Sequence, residues 1–204
     1  AISSLFLLDL MKRLNIIMLL ILISFSSLAQ SGEWVWVKGS DTANYLGNYG
    51  SQGIAAASNN PPSRANPAYW TDTDGNFWLF GGVIQRQGQS NIIMNDLWKF
   101  NPTTELWTWV NGPQLNTATG GQYGILGVSS PTNLPSARYL GKANWTSPNG
   151  DLYLFGGASF GGSLNDMWKY DITSNQWTWI AGSNNTSAVV SYGIKGLPAS
   201  TNDP

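Results

Sequence analysis

Residues 95–110 read NDLWKFNPTTELWTWV, and residues 165–180 read NDMWKYDITSNQWTWI. The two stretches are one pattern written twice, so Trp98, Trp107 and Trp109 recur as Trp168, Trp177 and Trp179. A fixed-period repeat constrains a fold more tightly than any local propensity, because each unit must bury the same surfaces against its neighbours. Trp-x-Trp occurs a third time at Trp34 and Trp36, giving intervals of 73 residues (34 to 107) and 70 residues (107 to 177). A Tyr-Gly follows each pair, at Tyr49, Tyr123 and Tyr192. Between the pairs, WTDTDGNFWLFGG at 70–82 matches WTSPNGDLYLFGG at 145–157. All 11 tryptophans fall on repeat positions. A residue type confined to the repeat frame serves packing between units.

The periodicity inside each unit is that of strands. The runs at 77–80 and 152–155 are short and continuously apolar, as in strands covered on both faces. Each follows a hairpin turn signal, Asp74-Gly75 or Asn149-Gly150, and each is expected to end at its double glycine, Gly81-Gly82 or Gly156-Gly157. Alternation puts Trp107 and Trp109 on one face and Thr108 and Val110 on the other. The pattern predicts four strands per unit, at 66–71, 76–81, 95–101 and 106–110, then at 139–146, 151–156, 165–171 and 176–180. Four-stranded sheets with two apolar faces cannot stand alone, and their radial solution is a β-propeller.

The double glycine after an apolar strand, the downstream Asn-Asp-hydrophobic-Trp and the closing Trp resemble kelch repeats, in the long form similar to the central domain of galactose oxidase. The resemblance covers roughly 33–204 and implies an all-β partial kelch β-propeller. That propeller would comprise two complete four-stranded blades, a leading strand and the start of a third blade. Two departures stand out. The period exceeds the roughly 50 residues usual for kelch units. The step from Arg to Trp is six residues in one copy (Arg64 to Trp70) and seven in the other (Arg138 to Trp145).

The expected organisation is an upstream extension and signal peptide at 1–29, a leading strand at 30–37, an inter-blade segment with the first blade at 38–110, a second such unit at 111–180, and the start of a further repeat at 181–204. In the two full units an Arg follows Tyr-Gly after fifteen residues, whereas the same step from Tyr192 passes Pro204, so a fragment of a longer protein is expected. From Met11 the chain has a basic Lys12-Arg13 start, an apolar core and small residues ending at Ala29. This is the pattern of a secretory signal peptide cleaved after Ala29, and its 13-residue apolar stretch at 16–28 is short for a membrane span. A secreted, periplasmic or cell-surface location is expected, with membrane contact only through the transient signal.

Composition bounds the chemistry. With 10 basic and 11 acidic residues and no clustering of Lys or Arg, no nucleic-acid partner is expected. The chain has no Cys and no His, which removes disulfides, thiolate metal sites and the commonest general base. No catalytic residue, metal or cofactor is expected within these residues. Asp72 to Asn76 lacks the Gly and Glu positions of an EF-hand loop and reads as a hairpin turn. Alternation places the loops after the second and fourth strands on one side, where 83–94, 158–164, 38–63, 111–137 and 181–204 collect. The long inter-blade segments are expected to cover that face. Arg64 and Arg138, at the start of the innermost strands, and Arg86, in the loop between the second and third strands, are the candidate ligand-binding residues there. The expected activity is that of a binding module for a glycan or an extracellular protein. The alternative is a carbohydrate-active enzyme, a galactose oxidase-like oxidase or a sugar epimerase, with its catalytic residues in other blades.

Overall fold

The computed structural model describes residues 34–86, 88–115, 120–199 and 201–202. The expected signal peptide and its cleavage site lie outside the described residues. The described residues from Val37 onward belong to one compact unit, and residues 34–36 fall outside it. The described residues 34–37 form no strand, and the rest of the leading strand expected at 30–37 lies outside the described residues.

The unit is all β, and its strands fall close to the expected positions. After a short strand β1 (Ala55–Ala56) come β2 (Ala68–Thr71), β3 (Phe77–Ile84), β4 (Ile92–Asn101) and β5 (Leu106–Asn111). The second set is β6 (Tyr139–Thr146), β7 (Leu152–Ser159), β8 (Gly162–Asp171) and β9 (Gln176–Ala181). They make two antiparallel sheets in the orders β1-β5-β4-β3-β2 and β6-β7-β8-β9. Each set of four meandering strands is one blade.

The double glycines do not end their strands. Both pairs adopt positive φ, 65° and 96° at Gly81 and Gly82, 65° and 108° at Gly156 and Gly157. The pairing shifts register there and the strand continues to Ile84 or Ser159. A β-bulge with φ > 0 turns the strand without breaking the sheet, and glycine adopts it with least strain. In blade 1 the bulge also admits a neighbour. The Gly82 N–H donates to the Arg138 carbonyl of blade 2 at 2.9 Å, and a Cβ on Gly81 would sit 2.8 Å from that same oxygen.

The seven-residue step from Arg138 to Trp145 also has a structural account. Tyr139 pairs with Ala158 and Lys142 with Gly156, so the extra residue is absorbed in a bulge at Leu140 and Gly141, both at positive φ.

The blades meet face to face. Trp70, Trp78, Phe80 and Leu97 of blade 1 share one buried core with Leu152, Leu154, Trp168, Tyr170 and Trp177 of blade 2. The Phe80 and Trp177 rings meet edge-on at 5.4 Å, and the Trp70 Nε1–H donates to the Tyr153 carbonyl at 2.9 Å. The Trp70 indole buries a large apolar surface and still satisfies its one donor, which suits it to this wedge between sheets. Trp98 and Trp107 do not lie in this interface; they face the other side of blade 1 and pack against each other at 6.3 Å. Trp109 and Trp179 take a third role, meeting Tyr49 and Tyr123 edge-on at 5.3 and 5.2 Å.

At the inner edge the two blades share no strand ladder. Instead Lys142 Nζ, Asn144 Nδ2 and Thr146 Oγ1 on β6 donate to the carbonyls of Asn66, Tyr69 and Thr71 on or beside β2, at 2.5, 2.6 and 2.9 Å. Alternate side chains of one strand thus read the backbone of its neighbour.

The inter-blade segments reach the outer edge of the blades. Ala55 and Ala56 pair with Thr108 and Trp107 on β5, and Ser130 bridges Trp177 on β9 in the same way. Each segment thereby caps the exposed edge of the outermost strand in the blade it precedes, which removes unpaired ladder groups.

Candidate functional site

The residues that sequence reasoning marked for ligand binding separate into two groups. Arg64 and Arg138 occupy equivalent buried nodes. Arg138 Nη1 and Nη2 clasp Asp166 Oδ1 and Oδ2, both at 2.7 Å, while Nη1 also donates to the Gly156 carbonyl at 2.8 Å and Nε to the Ser136 carbonyl at 3.0 Å. Arg64 makes the same set with Asp96 at 2.8 and 2.8 Å, the Gly81 carbonyl at 2.9 Å and the Pro62 carbonyl at 3.2 Å. A planar guanidinium held by a bidentate carboxylate and two carbonyls uses four of its five N–H donors. These two arginines, expected to meet a ligand, are therefore directed inward. Arg64 also borders a small hollow of about 220 Å³ with Asn44, Val83 and Gln85, but its donors point into the node.

The Asp of each Asn-Asp-x-Trp explains that motif. Asp166 Oδ2 accepts from Tyr123 Oη and Trp168 Nε1, each at 2.7 Å, in addition to Arg138. Asp96 Oδ2 accepts from Tyr49 Oη and Trp98 Nε1, again at 2.7 Å. One carboxylate thus ties together the leading segment (Tyr), the start of the first strand (Arg) and the third strand itself (Asp and Trp). Burial disfavours ionisation of Asp166, but the hydrogen bonds and charge of Arg138 outweigh it and hold the carboxyl below its ordinary range. Burial, together with the neighbouring Asp166 charge, pushes the Tyr123 phenol up to about 12. Tyr49 is raised likewise by burial and Asp96. The nodes are structural, and a sign of them was present in the sequence. Tyr-Gly, Arg and Asp recur together in both units.

Arg86 is placed differently. It is half-buried in the loop between β3 and β4, and its backbone N–H donates to Asn91 Oδ1 at 3.2 Å. Asn91 borders a hollow of about 360 Å³ on the loop-bearing side, walled by Ile92, Ile93, Leu115, Ala137 and Phe160. Phe160, at the tip of the tight β7–β8 hairpin, is 72% exposed. A wider groove of about 700 Å³ adjoins it at Leu115 and runs along Leu46, Asn48, Tyr49 and Gln114. The structure therefore ties the Arg86 backbone, through Asn91, to the edge of an apolar hollow, whereas the guanidinium groups of Arg64 and Arg138 are engaged in the buried nodes. The hollow was missed in the sequence because its walls come from three separate connections, and Phe160 has no counterpart in the repeat frame.

On the turn-bearing side, a polar cavity of about 280 Å³ lies among Asp72, Asn76, Lys99, Thr108 and Asn175. Its carboxylate is already engaged. Asp72 accepts from the backbone N–H groups of Asp74 and Asn76 and from Trp78 Nε1, at 3.0, 2.8 and 2.7 Å. Burial opposes the charge on Asp72, and these donors hold its pKa down. The stretch is a hairpin turn built around an Asx bond.

Antiparallel four-stranded sheets stacked face to face, with an aromatic wedge and a buried Arg–Asp node in each, define a propeller-blade architecture. Residues 143–184, which span most of the second blade, match the family model for the kelch motif. Over 104 residues, 51% of this chain, the sequence is 28% identical to multiple epidermal growth factor-like domains protein 8 of Mus musculus and to that of Homo sapiens. The chain spans only 3% of the length of these curated relatives.

Proposed function

We propose that the chain is an interaction module that presents the loop-bearing side of its kelch-type blades to a protein partner outside the cell. The carrying observation is the apolar hollow beside Leu115, with Phe160 standing exposed at its edge. Exposed apolar surface rimmed by polar groups marks interaction sites. The aliphatic walls favour an apolar side chain of a protein over a glycan, whose hydroxyls need convergent polar groups. The loop that carries Arg86, tied to the rim through Asn91, brings a positive charge that would select an acidic neighbour of that anchor. Export directed by residues 11–29 fits an extracellular partner.

The test is a binding screen of the full chain against extracellular protein and glycan arrays, repeated with Phe160→Asp and Ile92→Asp. Both variants are expected to keep the parent melting temperature within about 4 °C, as surface changes of roughly 1 kcal/mol do. Each should weaken the protein contact at least about tenfold, the loss expected of a central anchor. Binding that survives both substitutions, or hits confined to glycans, would refute the reading.

A further inference from the structure

Residues 191–202 repeat a device whose two earlier copies are complete. In the first copy, Gly53 N–H donates to the Trp109 carbonyl and Asn59 Nδ2 to the Trp107 carbonyl, while Tyr49 Oη reaches Asp96. In the second, Gly127 N–H, Asn133 Nδ2 and Tyr123 Oη serve Trp179, Trp177 and Asp166 in the same way. Each copy is thus a clamp that grips the outer strand of a sheet through the carbonyls of its Trp-x-Trp pair, and that sheet's Asp through a tyrosine.

The third copy has the clamp's internal geometry. Leu197 N–H donates to the Ile194 carbonyl, Asn202 N–H to the Ala199 carbonyl and Asn202 Nδ2 to the Leu197 carbonyl at 3.0 Å. These match bonds at Ile54, Asn59, Val128 and Asn133. Gly193 and Gly196 keep the positive φ of Gly50 and Gly53. The outward bonds alone are missing. Among the described residues, Tyr192 Oη and Gly196 N–H have no partner, Asn202 Nδ2 has one acceptor where its counterparts have two, and Tyr192 is 76% exposed.

Blade 2 also shows the face that blade 1 uses for stacking. Trp145, Tyr153 and Phe155 hold the positions of Trp70, Trp78 and Phe80, yet Trp145 is 40% exposed and stacks on Tyr153 with no covering sheet. A Cβ on Gly156 would meet the Leu164 carbonyl alone, whereas one on Gly81 meets the Arg138 backbone of the neighbouring blade. The space taken by that backbone at the first bulge is open at the second.

We infer that Tyr192, Gly196 and Asn202, together with the Trp145–Tyr153–Phe155 face, form a docking surface for one further sheet of the same repeat. That sheet carries Asn-Asp-x-Trp on its third strand and Trp-x-Trp on its outer strand. Its recognition chemistry is fixed by the two occupied copies. Two carbonyls of the Trp-x-Trp strand accept from Gly196 and Asn202, and the Asp accepts from Tyr192.

The test extends the full chain after Pro204 with a second copy of residues 136–182. This places an Arg fifteen residues after Tyr192, the step seen from 49 to 64 and from 123 to 138. Amide hydrogen exchange at Gly196 is expected to slow to within about tenfold of that at Gly53 and Gly127, as for amides opened by the same unit. Trp145 fluorescence should shift to the blue. Asn202→Ala in the extended chain should speed Gly196 exchange at least about fivefold, the loss of a hydrogen bond. A control with one extra residue at the junction should show no protection. An added sheet that stays unfolded, or that folds while Gly196 and Trp145 are unchanged, overturns the inference, as does equal protection in the control.

Discussion

Substituting Asp166→Asn should be the most damaging single-atom change in the second blade. The carboxylate and its arginine are both fully buried, and Asp166 accepts from Arg138, Tyr123 and Trp168 at 2.7 Å. The amide keeps the shape but loses the charge, and its Nδ2 would face a donor whichever way it turns. Arg138 is then left as a buried cation with two carbonyls. Removing one partner of such a pair costs about 3–5 kcal/mol. At about 2–4 °C per kcal/mol for a chain of this size, the melting temperature should fall by about 6–20 °C. Guanidinium unfolding followed by tryptophan fluorescence measures the loss directly, since Trp168 and Trp177 lie in the same core. The double variant Arg138→Met, Asp166→Asn removes the stranded charge and should recover at least about half of the loss, because apolar replacements of buried pairs are often near neutral. A loss below about 1 kcal/mol for Asp166→Asn, or strict additivity in the double variant, would refute the view that the node is held by charge pairing.

The position of each blade face makes matched residues unequal. Trp70→Ala should cost about 3–5 kcal/mol as a buried tryptophan, while Trp145→Ala, at the same repeat position on the open face, should cost less than about half of that in the same denaturation assay. Gly156→Ala should cost about 1–2 kcal/mol from its positive φ, and Gly81→Ala clearly more, because its Cβ would press on the Arg138 carbonyl at 2.8 Å; equal midpoints for the two would show that the blades do not approach there. Stability should also fall at both ends of the pH scale. Asp166, held low, contributes stability that is present above the ordinary Asp range and lost as acid titrates the folded carboxyl; Tyr123, raised to about 12, contributes fully below its ordinary value near 10 and is lost as pH climbs from 10 towards 12. Urea midpoints across pH 3 to 11 test this, and Tyr123→Phe should make the alkaline decline shallower.

The strands were legible because each signal is local. Apolar runs, Asp-Gly and Asn-Gly turns and alternating Trp fix strand positions without knowledge of the rest of the chain. The double glycines misled for a physical reason: φ > 0 reads as a strand end in one dimension, and only the cross-strand register shows that pairing resumes beyond Gly82 and Gly157. Arg64 and Arg138 stood out as isolated cations in a chain poor in charge. Their partners Asp96 and Asp166 lie 32 and 28 residues away, within a motif that read as a strand signature. Asn95 shows the same limit at a finer scale. Its Oδ1 is buried without a donor, whereas Asn165 Oδ1 accepts from Ser183 N–H; Pro113 occupies the matching place in blade 1 and has no N–H to give. The hollow by Phe160 was illegible altogether, being assembled from connections that the repeat does not constrain.

The inner seam, where Lys142, Asn144 and Thr146 grip three carbonyls of the adjoining strand, separates cohesion from register. A backbone ladder would merge the sheets into one continuous ribbon and fix their mutual twist. Side-chain tethers let each sheet keep its own curvature while adjacent edges stay joined, so wedge angle is governed by aromatic bulk farther out. Exchanging the three tether residues should therefore alter which sheets accept one another as neighbours more than it alters how any one of them folds.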